Sequence, residues 1–500
     1  MITFKDVSVL DMNSEYHGTP KLALMENAGR GVFEAMSQAY DLEGRSVVLV
    51  CGPGNNGGDG FVCARYLAKN VPSAKVSVVL LGDVKTIRSD IARHNFKRMP
   101  KGVKKHFVED VSDVKALVPI FKRSDLIVDA ILGSGAKGSL AEPITSLLLL
   151  INGAGKPIVA VDVPTGLGTP LQLHAQHTVT FVDVKEDMSG QDCGNVVVVD
   201  IGIPKKAQQQ TGPGELMYYN FPSPDTKKGA RGRILVVGGG PYTGAPYLSA
   251  KAALRSGVDL AYVLAPKAAS DTIASYSPNV IVRALDTRTG SDRIGPGHLA
   301  QVLEEASRAD VVLLGPGMGD HPESIDASAR IMAQVERPMV IDADALKAIK
   351  KGSRLPSQCI LTPHRGEFAN LMSALGLKAS GEDLDGWARD VEALARAVGV
   401  TVVRKGPVDI ISDGGHTKFN ETGNPAMAVG GTGDVLAGLC AGFLANIKHP
   451  FRAACLGAFL NGYFGDRAYA RKGCSLVATD LLDEIAIKPQ LAQTILDGRQ

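Results

Sequence analysis

The feature that most constrains this chain is an alternation sustained over most of its 500 residues. Short β-branched apolar runs take turns with longer segments of amphipathic character. SVVLVC (46–51), KVSVVLL (75–81), DLIVDAIL (125–132) and PIVAVDV (157–163) are apolar almost without interruption. A strand facing water on one side shows a polar residue at every second position. Runs like these belong to strands covered on both faces, as in a parallel sheet. Helix-compatible segments such as FVCARYLAKN (61–70) separate them. The same rhythm returns in RILVVGG, DLAYVLAP, ADVVLLGPG, RPMVIDADAL and TVVRKG. The expected class is therefore α/β, with a doubly wound three-layer α/β/α domain in each half.

Five hundred residues exceed what one core accommodates, so two domains are expected. Polar and small residues gather in IPKKAQQQTGPGE (203–215) and DTKKGARGR (225–233), flanking LMYYNFPSP, a short strand or a packed connector. The boundary is placed near Pro213, giving domains 1–213 and 214–500. Fifty-four basic and 52 acidic residues leave a formal charge of +2, so no global basic field favours nucleic acid or an anionic membrane. Seven scattered cysteines without a C-x-x-C pair argue against a disulfide framework or a zinc site, and for a reducing compartment. Charges within MITFKDVSVLDMNSEY break any signal-peptide core, and Gly430-Gly431-Thr432-Gly433-Asp434 interrupts the longest apolar stretch. A cytoplasmic chain without a membrane partner is expected.

In the first half, the strand ending at Cys51 runs into Gly52-Pro53-Gly54-Asn55-Asn56-Gly57-Gly58-Asp59-Gly60 and then a helix. A glycine loop lets backbone approach a ligand closely, and the following helix N-terminus favours phosphate. The Gly-Lys-Ser/Thr ending of a Walker A loop is absent. The plainer alternative is a tight turn capped by Asp59. Gly133-Ser134-Gly135-Ala136-Lys137-Gly138 follows the strand ending at Leu132. It fits G-x-G-x-x-G but lies too deep in the fold for a hydride-transfer fingerprint, so a second phosphate or ribose loop is expected. Asp129 and Asp162 sit within or at the end of apolar strands, where an ionised carboxylate is costly unless paired or metal-bound. Strand C-termini are also where open parallel sheets bind ligands.

ALMENAG, GPGNNGGDG, LIVDAILGSG and VAVDVPTGL, in this order, resemble the YjeF N-terminal family of NAD(P)H-hydrate epimerases over about residues 1–210. The resemblance implies interconversion of the epimers of hydrated NADH and NADPH at the hydrated carbon of the nicotinamide ring. It places substrate on Asn55, Asn56, Gly57, Gly58, Asp59, Gly133, Ser134, Gly135, Ala136, Lys137, Gly138, Ser139 and Asp162, with Asp162 as general acid/base. It also implies a potassium ion on Asn56, Asp129 and Thr165, where Thr165 replaces the family's usual serine.

In the second half, Gly430-Gly431-Thr432-Gly433-Asp434 precedes the helical, small-residue segment VLAGLCAGFLAN. Backbone N–H groups at a helix start make an anion hole, and a carboxylate beside it suits phosphoryl transfer, with Asp434 taking a hydroxyl proton. A capped glycine-rich helix start is the alternative. The motif resembles the G-x-G-D of ribokinase-like kinases. Thr362-Pro363-His364-Arg365-Gly366-Glu367 follows one strand, where that superfamily carries a metal-associated Glu, and Lys405-Gly406-Pro407-Val408-Asp409 follows another. With LVVGGGPYTGAPYLSAKAALRSGVDLAYVLAP and LLGPGMG, this ordered set resembles the ADP/ATP-dependent NAD(P)H-hydrate dehydratases over about residues 225–490. The resemblance implies hydrate contacts at Val258, Gly317, His364 and Asp434, and nucleotide contacts at Lys405, Gly406, Pro407, Val408, Asp409 and Gly433. It also implies Mg²⁺ near Glu367 and a homo-oligomer. Gly257-Val258-Asp259 departs from the family's Gly-Ala-Gly. A ribokinase-like small-molecule kinase fused to a nucleotide-binding module is the competing reading.

Overall fold

The structure is a computed structural model and describes residues 1–135, 140–289 and 292–498. The expected substrate contacts Ala136, Lys137, Gly138 and Ser139 lie outside the described residues. The chain divides into two compact units, Met1–Lys205 and Lys206–Gln500. The division precedes Pro213 because the segment after Lys206 is tied to the second unit. Thr211 donates its N–H to the Phe419 carbonyl (2.8 Å), and the buried Glu215 pairs with Lys418. LMYYNFPSP begins inside the 3₁₀ turn Pro213–Tyr218, so it is a packed connector.

The first unit is built on seven parallel strands: β1 (Ser46–Cys51), β2 (Lys75–Leu81), β3 (Lys104–Val108), β4 (Leu126–Ala130), β5 (Ile158–Val161), β6 (His177–Phe181) and β7 (Asn195–Val199). Their order is β3-β2-β1-β4-β5-β6-β7. The order reverses between β1 and β4, which opens a crevice at the strand C-termini. The apolar runs make β1, β4 and β5 almost wholly buried. Val48, Val50, Val79 and Ile127 pack one face against Leu147, Leu148 and Ile151 of the helix Ile144–Gly153. Each such side chain contributes about 1.5–3 kcal/mol on burial. Helices α1 (Phe4–Tyr16), α2 (Lys21–Ala39) and α3 (Asn55–Asn70) complete the part of the unit that frames its site.

The glycine-rich segment departs from expectation. Helix α3 starts at Asn55, so Asn55 to Gly60 are its first turns and not a preceding loop. A Cβ on Gly57 would lie 1.9 Å from the Gly52 carbonyl oxygen. One on Gly58 would meet Met25 Sδ at 2.7 Å, and one on Gly60 would meet Cys51 Sγ at 2.7 Å. These glycines bring the helix against β1 and α2. They are present for close approach, not for backbone freedom.

The second unit carries nine strands: β8 (Arg233–Val237), β9 (Leu260–Ala265), β10 (Ile281–Ala284), β11 (Val311–Leu314), β12 (Met339–Ile341), β13 (Cys359–Leu361), β14 (Thr401–Arg404), β15 (Asp409–Ser412) and β16 (Thr417–Asn420). They run β10-β9-β8-β11-β12-β13-β14-β15-β16, parallel as far as β14 and antiparallel beyond it. One face packs Val237, Leu314 and Ile341 against Val302, Ile331, Leu371 and Leu394 of the helices that follow the strands. On the other, the helices Thr432–Ile447, Gly244–Arg255 and Pro450–Lys472 pack together. A Cβ on Gly438 would lie 2.2 Å from the Ser249 carbonyl oxygen, so small residues set that helix spacing. Among the described residues, no helix is long and apolar enough to cross a membrane.

Candidate active sites

In the first unit a cavity of about 480 Å³ opens at the C-terminal ends of β1, β4 and β5. Asn55, Asn56, Asp59, Gly133, Ser134, Gly135 and Asp162 all line it, so these expected contacts converge. Asp162 follows β5 with φ of 68°, the left-handed region that a non-glycine residue enters only when held there. What holds it is explicit. Ser134 N–H donates to Oδ2 at 2.8 Å, and the Lys185 ammonium pairs with Oδ1 at 3.1 Å. Lys185 is 1 % exposed and donates further to Thr180 Oγ1 and the Phe181 carbonyl, both at 2.8 Å. The ammonium and the Ser134 N–H together fix how the Asp162 carboxylate faces the cavity. Asp59 has the opposite environment. Burial, followed by the neighbouring Asp162 and Asp11 carboxylates, raises its carboxyl well above the usual range.

Asp129, at the end of β4, is fully buried and faces Thr165. Its oxygens accept from Thr165 N–H (2.7 Å), Thr165 Oγ1 (2.7 Å) and Ile131 N–H (3.2 Å). Burial pushes its carboxyl up to about 6, against those hydrogen bonds. Asn56 stands out: both polar atoms of its side-chain amide are buried without a hydrogen-bond partner among the described residues. A buried amide left open costs about 1–3 kcal/mol, which a bound oxygen-seeking ligand would recover.

In the second unit the helix Thr432–Ile447 begins after Gly431, whose φ is 98°, and carries Gly433 and Asp434 in its first turn. The Lys405 ammonium, at the end of β14, is 3.3 Å from where a Gly433 Cβ would stand. It pairs with the buried Asp342 carboxylate at 2.8 Å. Burial first, then Asp342 and Glu367, push the Asp434 carboxyl up to about 7, and Lys405 opposes them. Lys405 itself keeps its proton more firmly than usual: burial disfavours the charge, but Asp342, Glu367 and Asp434 outweigh that. A half-buried carboxyl poised near neutrality, beside an ammonium and a helix N-terminus, is arranged to exchange a proton where phosphate binds.

His364 caps the helix Arg365–Ala374. Its Nδ1 accepts from Gly366 N–H (3.0 Å) and Glu367 N–H (3.2 Å), which leaves the proton on Nε2, 3.5 Å from Glu367 Oε1. Glu367 returns the cap by accepting His364 N–H at 2.8 Å. Asp409 turns inward, accepting from Gly406 N–H and Asn420 Nδ2, both at 3.0 Å, so it shapes the Lys405–Asp409 turn and leaves Pro407 and Gly406 exposed. Gly317 follows β11 with φ of 70°, against the Tyr242 carbonyl.

Val258 is not brought to this group. It precedes β9, at the N-terminal end of a strand that lies between β10 and β8, and is buried against Gly232. The departure from Gly-Ala-Gly has a structural reason there. Asp259 accepts from Gly229 N–H (2.8 Å), Arg231 N–H (3.0 Å) and Arg231 Nε (2.9 Å), anchoring the segment that enters β8.

Three residues of these sites carry no motif that sequence reading caught. Lys185 lies in VDVKEDM and Asp342 in VIDADAL, each just past an apolar run, which was the available signal. Asp11, which also lines the first cavity, sits on an N-terminal helix that no pattern marked.

Comparison with known proteins matches each half of the chain to its own family model. The family model described as NAD(P)H-hydrate dehydratase matches residues 234–487, and that of the YjeF-related protein N-terminus matches residues 21–186. A bifunctional NAD(P)H-hydrate repair enzyme from Pyrobaculum aerophilum is 39% identical, covering 97% of both chains. The one from Methanothermobacter thermautotrophicus is also 39% identical, covering 96% of this chain and 93% of its own. Among solved structures, an ADP/ATP-dependent NAD(P)H-hydrate dehydratase from Bacillus subtilis, crystallised with ATP and Mg²⁺, is 23% identical. It covers 56% of this chain and 97% of its own, with a TM-score of 0.47. Similarity of this extent along both halves makes the chain a member of the bifunctional NAD(P)H-hydrate repair enzyme family.

Proposed function

We propose that this chain restores hydrated NADH and NADPH: the first unit epimerises the hydrate, and the second dehydrates the S form at the expense of ADP or ATP. The observation that carries the reading is the pair of separate carboxylate–ammonium centres, Asp162 paired with Lys185, and Asp434 beside the Lys405–Asp342 pair.

In the first unit, Asn55, Asn56, Gly57, Gly58, Asp59, Gly133, Ser134 and Gly135 would hold the substrate. Asp162 exchanges a proton at the hydrated carbon, its orientation fixed by Ser134 N–H and Lys185. The donor set Asn56, Asp129 and Thr165 consists of oxygen atoms, and the unpartnered Asn56 amide suits a hard cation. Those three residues would hold potassium, which would neutralise charge beside the substrate.

In the second unit, Lys405, Gly406, Pro407, Val408 and Gly433 face the nucleotide phosphates, and Asp409 shapes their turn. Gly317 and His364 face the hydrate. Asp434 takes the proton of the ring hydroxyl as that oxygen forms its bond to the terminal phosphoryl group, and the shortened nucleotide leaves. The C–O bond then breaks with its electron pair going to phosphate, and loss of the neighbouring ring proton completes the dihydronicotinamide. Hydroxide leaves poorly and phosphate leaves well, which is why a nucleotide is consumed. Among the described residues, no group of three His, Cys, Asp or Glu side chains could hold a metal. Mg²⁺ would arrive on the nucleotide, with Glu367 as the protein carboxylate that would meet it through water, the usual mode for this cation.

Free thiols at all seven cysteines support a cytoplasmic setting, and the family resemblance supports a homo-oligomer. Product analysis tests the reading: NADH and inorganic phosphate should appear in equal amounts. A stable phosphate ester of the hydrate would instead identify a kinase.

A further inference from the structure

Helix α1 lies outside the segment that matches the YjeF-related family model, yet it forms part of the first cavity. Phe4, Val7 and Asp11, at i, i+3 and i+7, project from one face of this helix and line it. Phe4 packs over Gly135, where a Cβ would meet its ring at 2.4 Å. Ile2 pairs with the segment that carries Lys185: its N–H donates to the Val184 carbonyl at 2.9 Å, and Glu186 N–H donates back at 3.2 Å. The start of α1 is thus anchored beside the ammonium that fixes Asp162, and the helix then brings one carboxyl, Asp11, into the cavity.

We infer that Asp11 is the second proton-transfer group of the epimerisation, working with Asp162 across the same cavity. The inference rests on the epimerase reading of the first unit. Inverting the hydrated carbon needs two groups in opposite protonation states. One gives a proton to the departing hydroxyl, so that the C–O bond breaks with its electron pair and water leaves while the ring nitrogen lone pair forms the C=N⁺ bond. The other takes a proton from the water that adds to the opposite face, the new C–O bond returning the electron pair to nitrogen. Nothing is oxidised or reduced, and one water leaves for each that enters. Asp162, held by an ammonium and a backbone N–H, suits the accepting role. Asp11 comes from a different element and has the complementary environment.

The charged groups around Asp11 are Lys21 from α2, Asp162 after β5 and Lys185 after β6, with Asp59 on α3. Burial leads and Asp162 adds to it, while Lys21 and Lys185 oppose them, and the Asp11 carboxyl is pushed up to about 6. A carboxyl raised in this way, lining the same cavity as Asp162, is placed to donate a proton as general acid.

The test uses the full chain and a hydrate enriched in one epimer, following epimerisation across pH, with dehydration by the second unit in the same preparation as the folding control. Asp11→Asn should lower epimerisation kcat by about two orders of magnitude or more, with KM little changed, and should remove the fall in rate on the alkaline side. Asp11→Glu should restore that limb and part of the rate. An Asn variant with wild-type kcat, a change confined to KM, or an alkaline limb that survives in the Asn variant would each overturn the role of Asp11. If wild type epimerises while the Asn variant equals it, only this inference falls. If wild type does not epimerise at all, the reading of the first unit falls with it.

Discussion

Replacing Gly57 by alanine separates two accounts of the glycine-rich motif. If the glycines supplied loop flexibility, alanine at a helical position would stabilise the protein by about 1 kcal/mol through helix propensity. The geometry predicts the reverse. The new methyl would stand 1.9 Å from the Gly52 carbonyl oxygen and 2.9 Å from its carbon, so backbone must move by roughly 1.5 Å to reach ordinary contact. Gly52 has no room to yield. Its N–H is bonded to the Ala130 carbonyl at 2.9 Å, and its own Cβ position faces the Ile131 carbonyl oxygen at 2.0 Å. Overpacking against pinned backbone belongs at the upper end of the usual penalty, about 3 kcal/mol, leaving a net loss of about 2 kcal/mol. For a unit of this size that lowers the midpoint by about 4–8 °C. Calorimetry of the full chain measures it, with the transition of the first unit assigned by loss of epimerisation on heating. Gly153→Ala is the control: that position ends the helix Ile144–Gly153 with nothing within 4 Å of the new methyl, and should gain a few tenths of a kcal/mol. An unchanged or raised midpoint for Gly57→Ala would refute the close-approach argument.

Other outcomes follow from the two sites. Asp434→Asn should reduce dehydration by about 10²–10⁴ while nucleotide still binds and epimerisation continues, as steady-state rates and calorimetric titration would record. Since Asp434 accepts a proton only when ionised and its carboxyl lies at about 7, dehydration in wild type should rise with pH to about 7 and level off. Lys405→Met removes the charge that lowers this carboxyl, so the rising limb should move to higher pH; a stationary limb would disconnect the two residues. Asp129→Ala should weaken hydrate binding in the first unit and abolish any difference between potassium and sodium in epimerisation, leaving dehydration untouched.

The strands were legible because burial on both faces writes itself into a sequence as unbroken apolar runs; Ser46–Cys51 and Lys75–Leu81 match their strands end to end. The half-exposed strand Lys104–Val108 carries no such run, whereas the edge strand Asn195–Val199 carries four valines and is only partly buried. The start of α3 was hidden because glycine breaks isolated helices, and only the packed neighbours Gly52, Met25 and Cys51 explain why it does not break this one. Asp129, Asp162 and Asp434 were visible as carboxylates embedded in apolar or glycine-rich sequence. Their partners were not. Lys185 follows a different strand from Asp162, and Asp342 is 63 residues from Lys405, so only the folded sheet brings each pair together.

The most direct test of the account is recovery of absorbance at the NADH band from a mixture of both hydrate epimers with nucleotide and Mg²⁺. Wild type should recover all of it in one fast process. Asp162→Asn should recover only the share of one epimer quickly, the rest following at the spontaneous epimerisation rate. No recovery by wild type, or complete fast recovery by Asp162→Asn, would contradict the pairing of an epimerase site with a dehydratase site on this chain.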